Sequence, residues 1–339
     1  MKKVAGNKNQ KLKLLYLNDI LQKQSDEEHP LSSSELCEKL AELGISAERK
    51  SIYSDIDALR EFGVDIIQTR VPRRGYYVGS REFEPAEIRM LADAVQASGF
   101  ISPKKTEELT DKLYALISDH QAQYLKNQIF VNTGTKCENN EIYYNIDKIQ
   151  TAVNAGKRIR FKYFHRRIIN NLPTYTPGRE FTVSPYAMMW HEDRYYLICN
   201  YAKYDSLSHF RIDRMKKVEI VDENVRHFSE VSGYTDYFDV ADYAAKVFKM
   251  FSGGKNETIE LLCREAVLET IVDRFGLNVP YLTAGEGFFR VIINADVTDG
   301  LISWLVEMGN NVVALSPPSI VELTRERIEK LCQAYEIKK

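Results

Sequence analysis

The 339-residue sequence lacks the features that mark several large classes of protein. No stretch approaches the ~20 apolar residues that a membrane-spanning helix needs, and the first residues lead into no apolar signal core. Its five cysteines lie far apart and form no Cys-x-x-Cys or Cys/His cluster, so neither a disulfide scaffold nor a zinc site is supported. We therefore expect a cytoplasmic protein that contacts no membrane and needs no metal or other cofactor.

The motifs of common enzyme classes are also missing. There is no Ser-His-Asp order, His-Glu-x-x-His motif, Walker loop or dinucleotide-binding glycine pattern, and Gly253-Gly254 alone indicates a turn. His165 and His209 could serve as acid/base residues, but we interpret them as polar wall positions. The sequence therefore favours a protein that is not an enzyme.

The charge of the chain is unevenly distributed, although the net charge is only −2. Residues 141–228 hold 15 Lys and Arg against 10 Asp and Glu, whereas residues 229–339 hold 11 against 17. The length predicts two or three domains. A basic middle segment points to an anionic partner, and a merely solvated basic surface is the alternative.

Residues 8–80 have the pattern of three helices followed by a hairpin. After a first amphipathic helix, Ser32 and Glu35 form a capping box that begins the second. The third helix is predicted over Ser46–Phe62, and strand, basic turn and strand follow over residues 64–78. This order predicts a winged helix-turn-helix.

The helix pair resembles the helix-turn-helix of bacterial repressors of the deoxyribonucleoside-regulator type. The similarity is carried by Leu36-Cys37-Glu38-Lys39-Leu40, Gly44-Ile45-Ser46, Ser51-Ile52-Tyr53-Ser54-Asp55-Ile56, Leu59 and Gly63. A major groove about 12 Å wide accepts one helix, whose exposed side chains then reach base edges and phosphates. The residues expected to contact DNA are Arg49, Lys50, Ser51, Tyr53 and Ser54 on the third helix, with Arg70, Arg73 and Arg74 on the hairpin. The alternative is that these charges only solvate a helix and a turn.

Residues 81–140 are predicted to form a helical linker. One helix opens at Pro85 and stops before Gly99, and a second begins at Ser102-Pro103. Two helices between domains either supply a dimer contact and transmit a signal or act as a packed spacer, and both interpretations stay open.

Residues 141–228 change from helical to strand periodicity. A short helix precedes residues 157–163, where basic and apolar residues alternate as in a strand with one solvated face. Further short strands are predicted over 179–184, 194–200, 209–212 and 217–221. Several short strands at this spacing indicate a small barrel.

The strand motifs resemble those of the WYL domain, a family named for a Trp-Tyr-Leu tripeptide. They are Phe161-Lys162-Tyr163, Arg179-Glu180-Phe181-Thr182-Val183-Ser184-Pro185-Tyr186, Arg194-Tyr195-Tyr196-Leu197 and Phe210-Arg211-Ile212-Asp213-Arg214-Met215. Tyr195 stands where the family has Trp. The resemblance implies an Sm-like, SH3-like β-barrel of the kind that follows winged helices in bacterial regulators, and it spans about residues 10–335.

The predicted barrel offers aromatic rings and guanidinium groups, which suit nucleic acid bases and phosphates. The residues expected to bind an effector are Tyr163, His165, Arg166, Ser184, Tyr196, Arg211 and Arg214. Because neighbouring strand residues face opposite sides, only one of Tyr195 and Tyr196 can face the pocket, and the pattern does not say which. Core packing is the alternative for each aromatic residue.

Residues 229–339 are predicted to alternate as strand-helix-strand-strand-helix-strand, followed by a last helix. This is the split βαβ order of a ferredoxin-like domain, and it resembles the C-terminal extension found after WYL domains. Its acidic balance favours a dimer contact or an effector-gating lid over DNA contact. The whole chain is thus predicted to be an α+β multidomain protein.

These features predict a homodimeric bacterial transcription regulator that binds double-stranded DNA. Its barrel would sense a nucleotide or a nucleic-acid-like effector, such as a single strand, and alter operator binding. The first alternative is an RNA-binding or single-strand-binding protein whose barrel is the main site. An enzyme acting on nucleic acid is the second.

Overall fold

The computed structural model describes residues 5–126, 136–176, 178–250 and 254–336, with side chains from residue 12 onward. Gly253, half of the turn predicted at 253–254, lies outside these ranges. The chain divides into two compact units, residues 1–138 and residues 139–339. The predicted boundaries between four domains remain predictions.

The first unit is mainly helical. Its elements are α1 (Ala5–Gln24), α2 (Ser33–Glu42), α3 (Arg49–Phe62), β1 (Ile66–Thr69), β2 (Gly75–Val78), α4 (Pro85–Ala97), α5 (Pro103–Tyr114) and α6 (Asp119–Lys126). The three helices and hairpin expected for residues 8–80 are therefore present.

The second unit mixes strands and helices. Its first elements are α7 (Ile142–Ala155), β3 (Lys157–Tyr163), β4 (Arg166–Ile169), β5 (Leu172–Tyr175), β6 (Arg179–His191), β7 (Arg194–Tyr201), β8 (Leu207–Arg211) and β9 (Met215–Asn224). The remaining ones are α8 (Val240–Lys246), β10 (Asn256–Arg264), α9 (Leu268–Phe275), β11 (Tyr281–Thr283), β12 (Phe288–Asp296), α10 (Asp299–Met308), β13 (Val312–Ser316) and α11 (Pro318–Ala334).

Local hydrogen bonds fix the helix-turn-helix. The Ser32 hydroxyl accepts from the Glu35 backbone N–H at 3.3 Å, and the Glu35 carboxylate accepts from the Ser32 N–H at 2.8 Å, so the capping box is confirmed. The third helix begins at Arg49 rather than at Ser46. Its buried stripe of Ile52, Ile56 and Leu59 packs into the core of this region.

The wing is held to the preceding chain by a third short backbone pairing. Leu31 and Tyr76 exchange two backbone hydrogen bonds, of 2.9 and 2.8 Å. A Cβ atom at Gly75 would come within 2.8 Å of the Leu31 backbone, so glycine permits this close approach. The hairpin is thereby fixed beside α2.

The linker helices begin where proline predicted them. Ile88, Ala92 and Tyr114 join a small core that also includes α6, which the sequence analysis did not predict. Leu91 and Leu116, placed in the buried stripes by periodicity, are each 41% exposed. These helices pack against α6, and this contact, rather than the leucine spacing alone, determines which of their residues are buried.

Five strands of the second unit form one antiparallel sheet. Its order is β8-β7-β6-β3-β9, so β9 returns beside β3 after a meander. Among the described residues no pairing joins the edge strands β8 and β9, and the closed barrel is not seen. The Sm-like assignment therefore stays a prediction.

The last part of the chain has the predicted alternation of strands and helices. Strands β10 and β11 both pair antiparallel with β12, and β13 pairs with the free edge of β10. This arrangement has the split βαβ order, with a continuous core between the sheet and its helices. The ferredoxin-like assignment itself remains a prediction.

His209 connects the five-stranded sheet to the segment that follows it. Its Nδ1–H donates to the Met250 carbonyl at 2.7 Å, so Nε2 is the acceptor for the Tyr243 hydroxyl at 2.8 Å. Burial lowers the pKa of His209 from 6.5 to about 4. The neutral ring is therefore the form that the folded protein holds.

This pairing makes stability depend on pH. Because the folded pKa is depressed, the unfolded chain takes up a proton between pH 6.5 and about 4 that the folded protein does not, so stability falls as pH falls. We expect His209→Gln, which does not titrate, to remove about 2 kcal/mol of the stability difference between pH 7 and pH 5. Urea unfolding at both pH values measures this difference, and equal pH dependence in the two proteins would contradict the assignment.

Candidate DNA and effector interfaces

Three of the predicted DNA-contacting side chains of α3 are unpaired. Arg49, Lys50 and Ser54 are exposed, and each makes no hydrogen bond or ion pair with any residue that the structure describes. Two of the three carry positive charge and lie in the first turn. The N-terminal end of a recognition helix is the part that reaches base edges in the major groove.

The other two predicted residues of α3 are bound within the protein. The Ser51 hydroxyl donates to the Glu48 carbonyl at 2.9 Å and accepts from the Lys13 ammonium at 3.2 Å. The Tyr53 hydroxyl lies 3.3 Å from the Ser33 hydroxyl. Ser51 thus anchors the start of α3, and Tyr53 links α3 to α2.

The acidic residues of α3 are engaged by nearby cations. The Lys13 ammonium, whose side chain is 8% exposed, lies 2.6 Å from the Asp55 carboxylate. Asp57 pairs with Arg60 at 3.3 Å. These pairs reduce the negative field that Asp55 and Asp57 would otherwise exert on Arg49 and Lys50.

The three arginines of the wing differ in their environment. Arg73 forms an ion pair of 2.8 Å with Glu35, the capping residue of α2. Arg70 and Arg74 are exposed and have no ion-pair partner in the described part of the chain. The wing therefore offers two unpaired guanidinium groups, while the third holds it to α2.

Four of the predicted effector residues meet at the end of β8. The Tyr163 hydroxyl accepts from the Arg211 backbone N–H at 3.2 Å, and the Arg214 side chain reaches the same oxygen. Tyr196 pairs with Arg211 across β7 and β8, so their side chains share a face. Tyr195 instead contacts Trp190, so Tyr196 is the tyrosine beside the cluster.

Tyr163 presents its hydroxyl rather than its ring. The residue is 7% exposed, and its ring contacts Phe161, Phe181 and Phe210. Burial raises the pKa of its hydroxyl, and the neighbouring Arg211 N–H and Arg214 guanidinium act against that rise. Little of the ring is left for stacking against a base.

The two arginines of the cluster are held differently. The Arg211 guanidinium donates two hydrogen bonds to the Asp213 carboxylate, at 3.1 and 2.6 Å, and their side chains are 24% and 10% exposed. No carboxylate pairs with Arg214 within the described residues. Arg214 is therefore the cation that an anionic ligand can reach without displacing a carboxylate.

Three predicted effector residues are not part of this cluster. His165 lies beside it, and Ser184 and Arg166 lie elsewhere. Ser184 is 3% exposed and accepts from the Arg226 N–H at 3.0 Å, and it faces the side of β6 opposite to Phe181. The His165 ring contacts Tyr163 with centroids 5.0 Å apart. Arg166 lies on β4, where its guanidinium covers the Tyr175 ring at 4.7 Å.

Sequence reasoning missed the β4–β5 hairpin. The signal was present, because Asn170-Asn171 stands between two apolar pairs and Asn favours the backbone of a two-residue hairpin turn. The structure gives both asparagines positive φ angles, 51° and 62°.

Comparison with known proteins identifies one domain of the chain and a full-length relative. Residues 144–220 match the family model described as the WYL domain, so the chain carries a WYL domain. An uncharacterized HTH-type transcriptional regulator of Bacillus subtilis, YobV, is 21% identical over 310 residues, which cover 88% of this chain and 93% of that protein. The resemblance to WYL-domain transcriptional regulators is thereby confirmed.

Two solved structures show weak overall similarity. Proteasome accessory factor B/C of Arthrobacter aurescens is 16% identical with a TM-score of 0.26, and the match covers 94% of this chain. The chain spans about half the length of that protein, 48%. A CRISPR Cas-related protein is 14% identical with a TM-score of 0.35, covering 99% of this chain and 88% of that one. Among the residues that the structure describes, no helix is both long and apolar enough to span a bilayer.

The two arginines should respond differently to truncation. Arg211→Ala leaves the Asp213 carboxylate without its two charged hydrogen bonds, so we expect a loss of about 2 kcal/mol in unfolding free energy. Arg214→Ala should cost less, about 1 kcal/mol, because it removes one hydrogen bond and leaves no carboxylate without its partner.

Urea denaturation of both variants measures these losses. Arg211→Ala combined with Asp213→Ala is the control, and it should be more stable than Arg211→Ala alone because no uncompensated charge remains. Equal losses in Arg211→Ala and Arg214→Ala would show that the pairing with Asp213 does not distinguish them.

Proposed function

We propose that this protein is a homodimeric, cytoplasmic transcription regulator that binds duplex DNA through its winged helix-turn-helix. The observation that carries the proposal is the first turn of α3, where Arg49 and Lys50 are exposed and make no internal ion pair. Arg70 and Arg74 on the wing add two further cations. The WYL domain and the HTH-type relative support this function.

The WYL domain supplies the effector site in this proposal. Arg214 offers an unneutralised guanidinium beside the Tyr163 hydroxyl, with Tyr196 and Arg211 on the neighbouring strands. A guanidinium binds phosphate through paired, charge-assisted hydrogen bonds. The ligand class that fits is a nucleotide or a short single-stranded oligonucleotide, whose binding changes the affinity for the operator.

The DNA-binding role is tested on α3. Arg49→Ala with Lys50→Ala should weaken binding to duplex DNA and lower the slope of log K against log salt by about two, because each lost phosphate contact lowers it by about 0.9. Fluorescence anisotropy at several salt concentrations measures both quantities.

The matched control removes the same charge from α5. Lys104→Ala with Lys112→Ala changes two exposed lysines, and it should retain most of the wild-type affinity and slope. If the α3 variant is folded and binds as the wild type does, α3 is not the recognition helix.

The effector role is tested on Arg214. Arg214→Ala should reduce binding of short single-stranded oligonucleotides or nucleotides about tenfold or more, since a charge-assisted phosphate contact contributes about 1.5–3 kcal/mol. Thermal stability of Arg214→Ala should stay near wild type, whereas Arg211→Ala should lose stability. Isothermal titration and melting of the same samples report the two effects separately.

Retained oligonucleotide binding in Arg214→Ala would refute the site. Binding to single strands with no measurable affinity for any duplex would instead favour the RNA-binding or single-strand-binding alternative.

A further inference from the structure

The β4–β5 hairpin, residues 166–175, is an exposed ribbon. All eight residues of its two strands are exposed, including Ile168 at 70% and Leu172 at 66%. Each strand has four residues, which gives the ribbon a length of about 13 Å. Large apolar side chains therefore stand at its tip with no protein surface covering them.

The hairpin is well defined although it is exposed. Its register pairs Arg166 with Tyr175 and Ile169 with Leu172 around the Asn170-Asn171 turn. At its base the Thr176 N–H and hydroxyl both donate to the His165 carbonyl, at 2.9 and 3.0 Å. These bonds close the base of the ribbon one residue beyond its paired strands, so it is a built arm rather than an irregular loop.

The register places apolar and basic groups on both faces. Arg166, Ile168, Pro173 and Tyr175 share one face, and Arg167, Ile169, Leu172 and Thr174 share the other. An isolated two-stranded hairpin is marginal in water, and the strand residues on both faces of this one are exposed. A partner that covers both faces would remove the unfavourable exposure of these apolar side chains to water.

The charge of the arm is of one sign. From residue 164 to residue 179 the sequence contains Arg166, Arg167 and Arg179 and no Asp or Glu. At its base Lys216 lies over the Phe164 ring at 5.3 Å. Two copies of such an arm repel each other, whereas a polyanion is attracted along its whole length.

We propose that the hairpin is a second DNA-contacting arm, which places Arg166 and Arg167 against phosphates and its apolar tip in a groove of duplex DNA. A two-stranded ribbon fits the width of a groove, and apolar side chains inserted between base steps bend the duplex. This inference rests on the proposed DNA-binding function and adds a contact that is independent of α3. Duplex DNA is favoured because one ligand supplies both phosphates and a groove that encloses two faces.

The charge of the arm is tested with Arg166→Gln and Arg167→Gln together, in the full chain. The probe is a duplex of mixed sequence several helical turns long, because these contacts need no specific sequence. We expect about tenfold weaker binding and a salt slope lower by about two. The matched control is Arg158→Gln with Arg160→Gln, which removes two arginines that are already paired with Glu223 and Glu219.

The apolar tip is tested with Ile168→Ser and Leu172→Ser together. This variant should keep the wild-type salt slope, bind several-fold more weakly and lose the bend that the wild type induces, as measured by electrophoretic phasing. The control is Leu277→Ser with Leu282→Ser, an equally exposed apolar pair elsewhere in the unit. Melting temperatures should match the wild type, because the substituted side chains are exposed.

The experiments distinguish a failure of the arm proposal from a failure of the proposed DNA-binding function. Both hairpin variants are also made in the Arg49→Ala, Lys50→Ala background, where they should remove the remaining duplex affinity. If the hairpin variants bind and bend duplex as the wild type does while the α3 variant fails, the arm is refuted and the function stands. If the hairpin variants change only single-strand binding or only the sedimentation coefficient, the partner is a single strand or a second copy, and the proposal is wrong. A wild type that binds no duplex refutes both.

Discussion

The pairing of cations with the protein's own carboxylates decides which basic side chains can meet an anionic partner. The basic excess of residues 141–228 looks like one surface in the sequence, but β9 runs beside β3 and neutralises much of it. Lys157 pairs with Asp222 at 2.7 Å, and Arg160 pairs with Glu219 at 2.9 Å. Among the described residues Arg214 has no carboxylate partner, and Arg166 and Arg167 lie on the exposed β4–β5 hairpin.

The same rule sorts the residues of the winged helix. A buried lysine, Lys13, holds Asp55, and the capping residue Glu35 holds Arg73. Each of these contacts serves two purposes. Lys13 holds α3 and Arg73 holds the wing, and each ion pair also neutralises one charge that would otherwise face the solvent. Arg49 and Lys50 make no ion pair among the described residues, whereas Asp55 and Asp57 on the same helix already have partners.

Local sequence patterns predicted most of the helices and strands. Which charged side chains stay unpaired at the candidate sites depends instead on pairing between distant residues. The capping box at Ser32, the helix starts at Pro85 and Pro103 and the strands of the sheet all follow from short-range physical chemistry that a sequence displays directly. The pairing of Arg160 with Glu219 depends on which strand lies beside β3, and 59 residues separate the two. No local pattern contains that information.

Strand β8 shows why the geometry of the candidate effector site could be predicted only in part. His209, Phe210 and Arg211 are consecutive, yet each is bound to a different part of the unit: His209 to Met250 and Tyr243, Phe210 to the aromatic core, and Arg211 to Asp213. The motif predicted Arg211 and Arg214, but the Asp213 pair that distinguishes them is a matter of geometry.

This arrangement also constrains how an effector could act. An anion that draws the Arg211 guanidinium away from Asp213 must break its two hydrogen bonds to that carboxylate. The Arg211 N–H is bound to the Tyr163 hydroxyl, so a rearrangement that reaches the backbone would shift the end of β8. A shift of β8 carries His209 with it and disturbs its two hydrogen bonds to the segment after the sheet. An anion that binds Arg214 alone meets no such internal competitor and leaves β8 in place. In the proposed effector site, binding and signalling would therefore be separable: Arg214 would supply affinity, and the Arg211–Asp213 pair would set the free energy needed to release Arg211.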